Sequence, residues 1–200
     1  MRDRENIRLM RELLPDFIGF IFFPGSRRFV GIDPDSEIFT ITGQNIQKVG
    51  VFVNEDAKSV LENSVRYKLD LVQLHGNESP AYCAEMKEKG VRVIKAINPY
   101  KDLNHELILK YSGSVEYFLI DNPSEKYGGS GKKFNWEIIK DFDFPAPFML
   151  SGGIGPEDTE RILSFSHERF HGVDINSRFE KSAGIKEIEK VKEFIDTIRK

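Results

Sequence analysis

The sequence predicts an α/β chain of the (β/α)8, or TIM-barrel, type with its first β-strand absent, and three observations carry that prediction. Seven short apolar runs of β type begin at positions 17, 49, 71, 93, 117, 147 and 172. Their starts lie 32, 22, 22, 24, 30 and 25 residues apart, with helical signals in most gaps, which is the sequence form of repeated βαβ units. The chain also opens on a helical pattern, leaving seven strands where closure usually takes eight. An open seven-stranded sheet is the alternative architecture.

Residues 2–14 put Ile7, Met10 and Leu14 on one side of a first helix. It leads into a strand at 17–23, whose unbroken apolar run suits a parallel strand buried on both faces. Between Val30 and Val49 the β-branched stretch 38–42, closed by Gly43, argues against a full crossover helix and for a short or irregular connection. The next strand, 49–53, is followed by Asn54 as a helix cap with Glu55 and Asp56 in the first turn. After the strand at 71–74, Ser79-Pro80 reads as a cap with proline at the first helical position. Strands at 93–97, 117–120, 147–150 and 172–175 complete the set. The last helix carries Ile185, Ile188, Val191, Ile195 and Ile198 at three- and four-residue steps.

Length and composition fit one domain over residues 1–200: 40% of residues are hydrophobic and 30% charged. A net charge of -3, with scattered lysines and arginines, offers no basic face for nucleic acid or an acidic membrane, so a small molecule is the expected partner. The lone cysteine, Cys83, excludes an internal disulfide framework, and neither a signal segment nor a long apolar run is present; a cytoplasmic location fits.

In a barrel of this kind chemistry sits on the loops after the strands. Ser151-Gly152-Gly153-Ile154 and Asp174-Ile175-Asn176-Ser177 follow the last two strands and read as a phosphate pocket built from backbone N–H groups; two tight turns are the plainer alternative. Asp121 closes the run 117–120 at a strand mouth, where a general acid would stand, although a cap or ion-pair partner remains open. Gly128, Gly129 and Gly131 form a glycine-rich loop suited to folding over a ligand; its spacing is not that of a nucleotide-binding P-loop. Arg28, with Arg27 as its double, offers a planar fork for a carboxylate or is a solvated loop charge. Gln73 and His75 lie at another strand end, either on the ligand or bracing the loop. No metal site is expected, because His105, His167 and His171 lack ligand spacing, and Cys83 reads as structural.

These motifs together resemble phosphoribosylanthranilate isomerase, in the order 20–30, 49–54, 72–76, 128–132 and 150–154, over a likeness running from about Asp3 to the C-terminus. The resemblance implies a cofactor-free Amadori rearrangement in tryptophan biosynthesis, converting N-(5-phosphoribosyl)anthranilate to 1-(2-carboxyphenylamino)-1-deoxyribulose 5-phosphate by a monomeric enzyme. It implies that Asp121 protonates the furanose ring oxygen, that Arg28 holds the anthranilate end, and that Gly152, Gly153, Asn176 and Ser177 hold the phosphate. It also implies a general-base cysteine on a Lys-Val/Ile-Cys-Gly strand just before a segment like residues 1–7, and this sequence starts where that strand should already have ended. The chain is therefore expected to bind its substrate but hardly to turn it over, to have a low melting temperature, and to be open to self-association through its exposed strand edges. Arg178, standing where many relatives carry glycine, either adds charge to the phosphate pocket or points into solvent. A non-catalytic sugar-phosphate-binding barrel is the second reading. Another phosphate-barrel enzyme is the third, and it lacks the strand-end lysine or ligand cluster it would need.

Overall fold

Seven strands lie in one parallel sheet in sequence order: β1 (Phe17–Ile21), β2 (Gln47–Phe52), β3 (Leu71–Leu74), β4 (Val93–Ile97), β5 (Tyr117–Ile120), β6 (Phe148–Leu150) and β7 (Phe170–Val173). The computed structural model describes residues 1–122 and 135–199. Side chains alternate across each strand, and β1 to β6 each feed two layers. Val49, Leu71, Ile94, Leu119 and Met149 form an inner layer with Phe17, Val51 and Tyr117. Phe20, Phe52, Val72, Phe118 and Phe148 belong to the larger outer core, which includes helix residues such as Ile7, Val60, Met86 and Val191. Burial on both faces is the physical reason these strands read as unbroken apolar runs. The last strand starts two residues earlier than its apolar run, at Phe170, with His171 bulged out of the register between Phe170 and Gly172.

The connecting helices are α1 (Arg4–Glu12), α2 (Glu37–Thr40), α3 (Ala57–Arg66), α4 (Pro80–Glu88), α5 (His105–Leu109), α6 (Thr159–Ser164) and α7 (Ile188–Ile198). The first ends sooner than its pattern, since Leu14 is exposed with φ 49° and does not join the packed side. As the β-branched stretch predicts, α2 is one turn. Asn54 does not cap α3: it takes the left-handed conformation that asparagine tolerates (φ 52°), and Asp56 accepts from the Ser59 N–H instead. Ser79 does cap α4, with Pro80 at its start. Cys83 is buried in that helix, where burial pushes its thiol up to about 12.

Ile185 lies outside the last helix. Glu180–Ser182 (β8) and Ile185–Lys186 (β9) pair as an antiparallel hairpin that turns at Gly184 (φ 87°), and α7 begins after it. The two edges of the large sheet are β1 and β7. A cleft of about 530 Å³ runs between them, lined by Gly19 and Ile21 on one side and by Gly172 and Val173 on the other, and it opens at the C-terminal strand ends. The buried Met1 ammonium donates to the Gly19 carbonyl in this cleft.

Candidate active site

The mouth of the cleft is fixed by the strand ladder itself. One residue past β3, β5, β6 and β7 respectively, the backbone N–H groups of His75, Asp121, Ser151 and Asp174 donate to Phe52 (2.9 Å), Ile97 (3.1 Å), Ile120 (2.8 Å) and Leu150 (2.7 Å). Gln73 Nε2 lies 2.8 Å from His75 Nδ1, and His75 Nε2 lies 3.0 Å from Asp121 Oδ2. An amide nitrogen can only donate, so Nδ1 accepts and the ring proton sits on Nε2, donated to Asp121. His75 therefore braces Asp121 within the cleft through a hydrogen bond, and Asp121 remains a candidate acid. Beside it Ser151 Oγ donates to Asp174 Oδ2 (3.1 Å). Burial pushes the Asp174 carboxyl above the usual range, opposed by the Lys186 charge and reinforced by that of Asp121.

At one end of the cleft stand two glycines with left-handed backbone, Gly152 (φ 84°) and Gly153 (φ 77°). A Cβ on Gly152 would come within 3.0 Å of the Asn122 backbone nitrogen and of Asp121 Oδ1, so the loop needs glycine there. The N–H groups of Gly152, Gly153, Asn176 and Ser177 donate to no group among the described residues. Four unspent amides on two adjacent loops, all lining one cleft, suit an anion. Arg178 points into solvent rather than into the pocket, half-exposed and paired with Glu157 across the neighbouring loop.

At the other end Arg28 is nearly buried, while Arg27 is exposed. Glu180 grips Arg28 through Nε (2.9 Å) and Nη2 (2.6 Å), which uses one edge of the guanidinium. The other edge, carried by Nη1, donates to no described group and remains for a second carboxylate. Burial works to raise the Glu180 carboxyl, but the Arg28 hydrogen bond and the Lys186 and Arg28 charges hold it below the usual range. Burial lowers Lys186 to about 8.

The predicted residues Asp121, Arg28, Gln73, His75, Gly152, Gly153, Asn176 and Ser177 thus share one cleft. Gly128, Gly129 and Gly131 lie outside the described residues. Sequence reasoning missed Glu180 and Lys186. They flank the glycine turn of the hairpin, a position that only the fold brings under the mouth, and in the sequence they look like ordinary helix-flanking charges. No cluster of three or more possible metal ligands occurs among the described residues, and no described helix is long and apolar enough to cross a membrane.

A family model described as "N-(5'phosphoribosyl)anthranilate (PRA) isomerase" matches residues 2–197. An N-(5'-phosphoribosyl)anthranilate isomerase from Parabacteroides distasonis is 46% identical over 199 residues, covering 99% of this chain and 90% of the relative. The crystal structure of phosphoribosyl anthranilate isomerase from Thermotoga maritima superposes with a TM-score of 0.87 at 31% identity, covering 100% of this chain and 95% of that one. A second similar structure, with a TM-score of 0.82 at 28% identity and the same coverage, holds reduced 1-(o-carboxyphenylamino)-1-deoxyribulose 5-phosphate.

Proposed function

From the premise that the chain belongs to the N-(5'-phosphoribosyl)anthranilate isomerase family, an isomerase of tryptophan biosynthesis, we propose how the cleft divides the work. The substrate, N-(5-phosphoribosyl)anthranilate, carries a phosphate at one end and a carboxylate at the other. Gly152, Gly153, Asn176 and Ser177 take the phosphate on their unspent amides, and the free edge of Arg28 takes the carboxylate. The reduced product analogue held by a similar structure carries the same two anions, which supports a ligand of this kind in the cleft.

Between the anions, Asp121 gives a proton to the furanose ring oxygen. The C1–O bond breaks and a Schiff base forms on the anthranilate nitrogen. Loss of the C2 proton moves that bond's electrons into an enolamine, which tautomerises to the ketose product. The observation carrying the role of Asp121 is its 3.0 Å contact with His75 Nε2: with Oδ2 held in place, Oδ1 is left to carry the transferred proton. The base for C2 is the cysteine that the resemblance places on a strand between β1 and β7, a position the described residues leave unpaired. The seven parallel strands belong to a single domain of the (β/α)8 type over 1–200, acting without cofactor as a monomer in the cytoplasm.

The test is turnover followed by anthranilate fluorescence. In a chain carrying a Lys-Val-Cys-Gly strand ahead of residue 1, Asp121→Asn is expected to lower kcat by about 10²- to 10⁴-fold while the reduced product analogue binds as before. Turnover within a few-fold of the unsubstituted chain would contradict the assignment.

A further inference from the structure

Lys186 is one of the most deeply buried charged side chains among the described residues, 8% exposed, and the proposed chemistry gives it no task. Its backbone is locked from both sides by the buried Asn6 of α1, which donates to the Lys186 carbonyl (2.9 Å) and accepts from its N–H (2.7 Å). Its ammonium donates to the carbonyls of Ile175 (3.0 Å) and Asn176 (3.1 Å) and to Asn176 Oδ1 (3.0 Å), and it lies 3.7 Å from Glu180 Oε1. In a trans peptide the N–H points opposite to the C=O. Drawing the carbonyls of 175 and 176 onto the ammonium therefore turns the N–H groups of Asn176 and Ser177 away from it, and those are two of the four amides with no partner in the described fold.

The same ammonium acts at the opposite end. Arg28 and Glu180 form a pair with no net charge, and a neutral pair attracts a carboxylate weakly. Lys186 beside Glu180 restores a net positive charge to that end, next to the unused edge of Arg28.

We propose that Lys186 is the positioning residue for both anion-binding ends of the cleft: it orients the Asn176 and Ser177 amides toward the phosphate and offsets Glu180 so that Arg28 attracts the substrate carboxylate. This rests on the reading of the cleft given above. The charged and titratable groups facing Lys186 are Glu180 from β8, Asp174 after β7, Arg28 after β1 and the Met1 amine, which burial lowers to about 5. Lys186, lowered to about 8, is thus the group expected to lose its charge in mildly alkaline solution.

The experiment is calorimetric titration of the chain with the reduced product analogue and with inorganic phosphate. Lys186→Met is expected to weaken the analogue by about 10- to 100-fold, the worth of losing charge-assisted hydrogen bonds. Adding Glu180→Gln should restore part of the analogue affinity, through the carboxylate end, and none of the phosphate affinity, a split that general loosening would not produce. With no substitution at all, affinity for both ligands should fall by about tenfold between roughly pH 7 and pH 9.5, above the second ionisation of phosphate, and stay flat in Lys186→Met. Analogue binding by Lys186→Met within twofold of the unsubstituted chain, or a flat pH profile in the unsubstituted chain, overturns the role of Lys186. Failure of the unsubstituted chain to bind the analogue overturns the reading of the cleft, and the role of Lys186 with it.

Discussion

At the scale of single residues, the proposed chemistry rests on side chains whose neighbours leave them one available atom or edge. Asp121 has Oδ2 taken by His75, and Arg28 has one guanidinium edge taken by Glu180. Gly152 makes the sharpest residue-level test. Alanine there would hold a left-handed backbone, a strain of about 1–2 kcal/mol, and press its Cβ toward Asp121. Gly152→Ala is expected to weaken binding of the reduced product analogue, and unchanged affinity would argue against phosphate at this loop. Cys83 predicts the opposite behaviour. Burial holds its thiol up at about 12, so it should resist thiol reagents in the native fold, and Cys83→Ala should leave binding of the reduced product analogue as it was. Rapid labelling of folded protein would refute its structural role. The place of Asp121, Arg28 and the Gly152–Gly153 pair in one cleft was legible in the sequence because strand-end position marks them. Glu180 and Lys186 were not, because their importance depends on a hairpin that brings them beneath a mouth made by other strands.

At the scale of elements, strands and helices followed the apolar periods closely, and departures occur where a single side chain overrides the pattern. Asn54 is the clearest case. It looked like a cap, but its left-handed backbone makes a turn: its side chain accepts from the Asn77 N–H (2.6 Å) and its own N–H donates to Glu78 (2.8 Å). Glu78 in turn is ion-paired with Lys95 of β4 at 2.9 Å, both side chains being almost wholly buried. Lys95 also donates to the carbonyls of Leu74 and Gly76, on either side of His75. This buried pair therefore sets the segment that carries the histidine. Lys95→Met strands an uncompensated carboxylate and is expected to cost about 3–5 kcal/mol by denaturant unfolding, with Lys95→Met/Glu78→Gln recovering much of it. A loss under about 1 kcal/mol in the single variant would show that the pair is not what holds this segment.

At the scale of the whole molecule, seven parallel strands are arranged in order with β1 and β7 unpaired to each other and a cleft between them. The strand count was readable from spacing alone. The hairpin β8–β9 was not, since two- and three-residue strands leave no period in a sequence. A strand set between β1 and β7 would cover apolar lining at about 25 cal/mol per Å², so a chain preceded by a Lys-Val-Cys-Gly strand is expected to melt at a higher temperature than this one. Equal transitions would count against a strand position there. The same extended chain allows the most direct measurement of all: turnover of N-(5-phosphoribosyl)anthranilate by fluorescence, with Asp121 intact and as Asp121→Asn. Turnover that depends on the added cysteine and falls by about 10²-fold or more in Asp121→Asn is the predicted result, and turnover indifferent to Asp121 would contradict it.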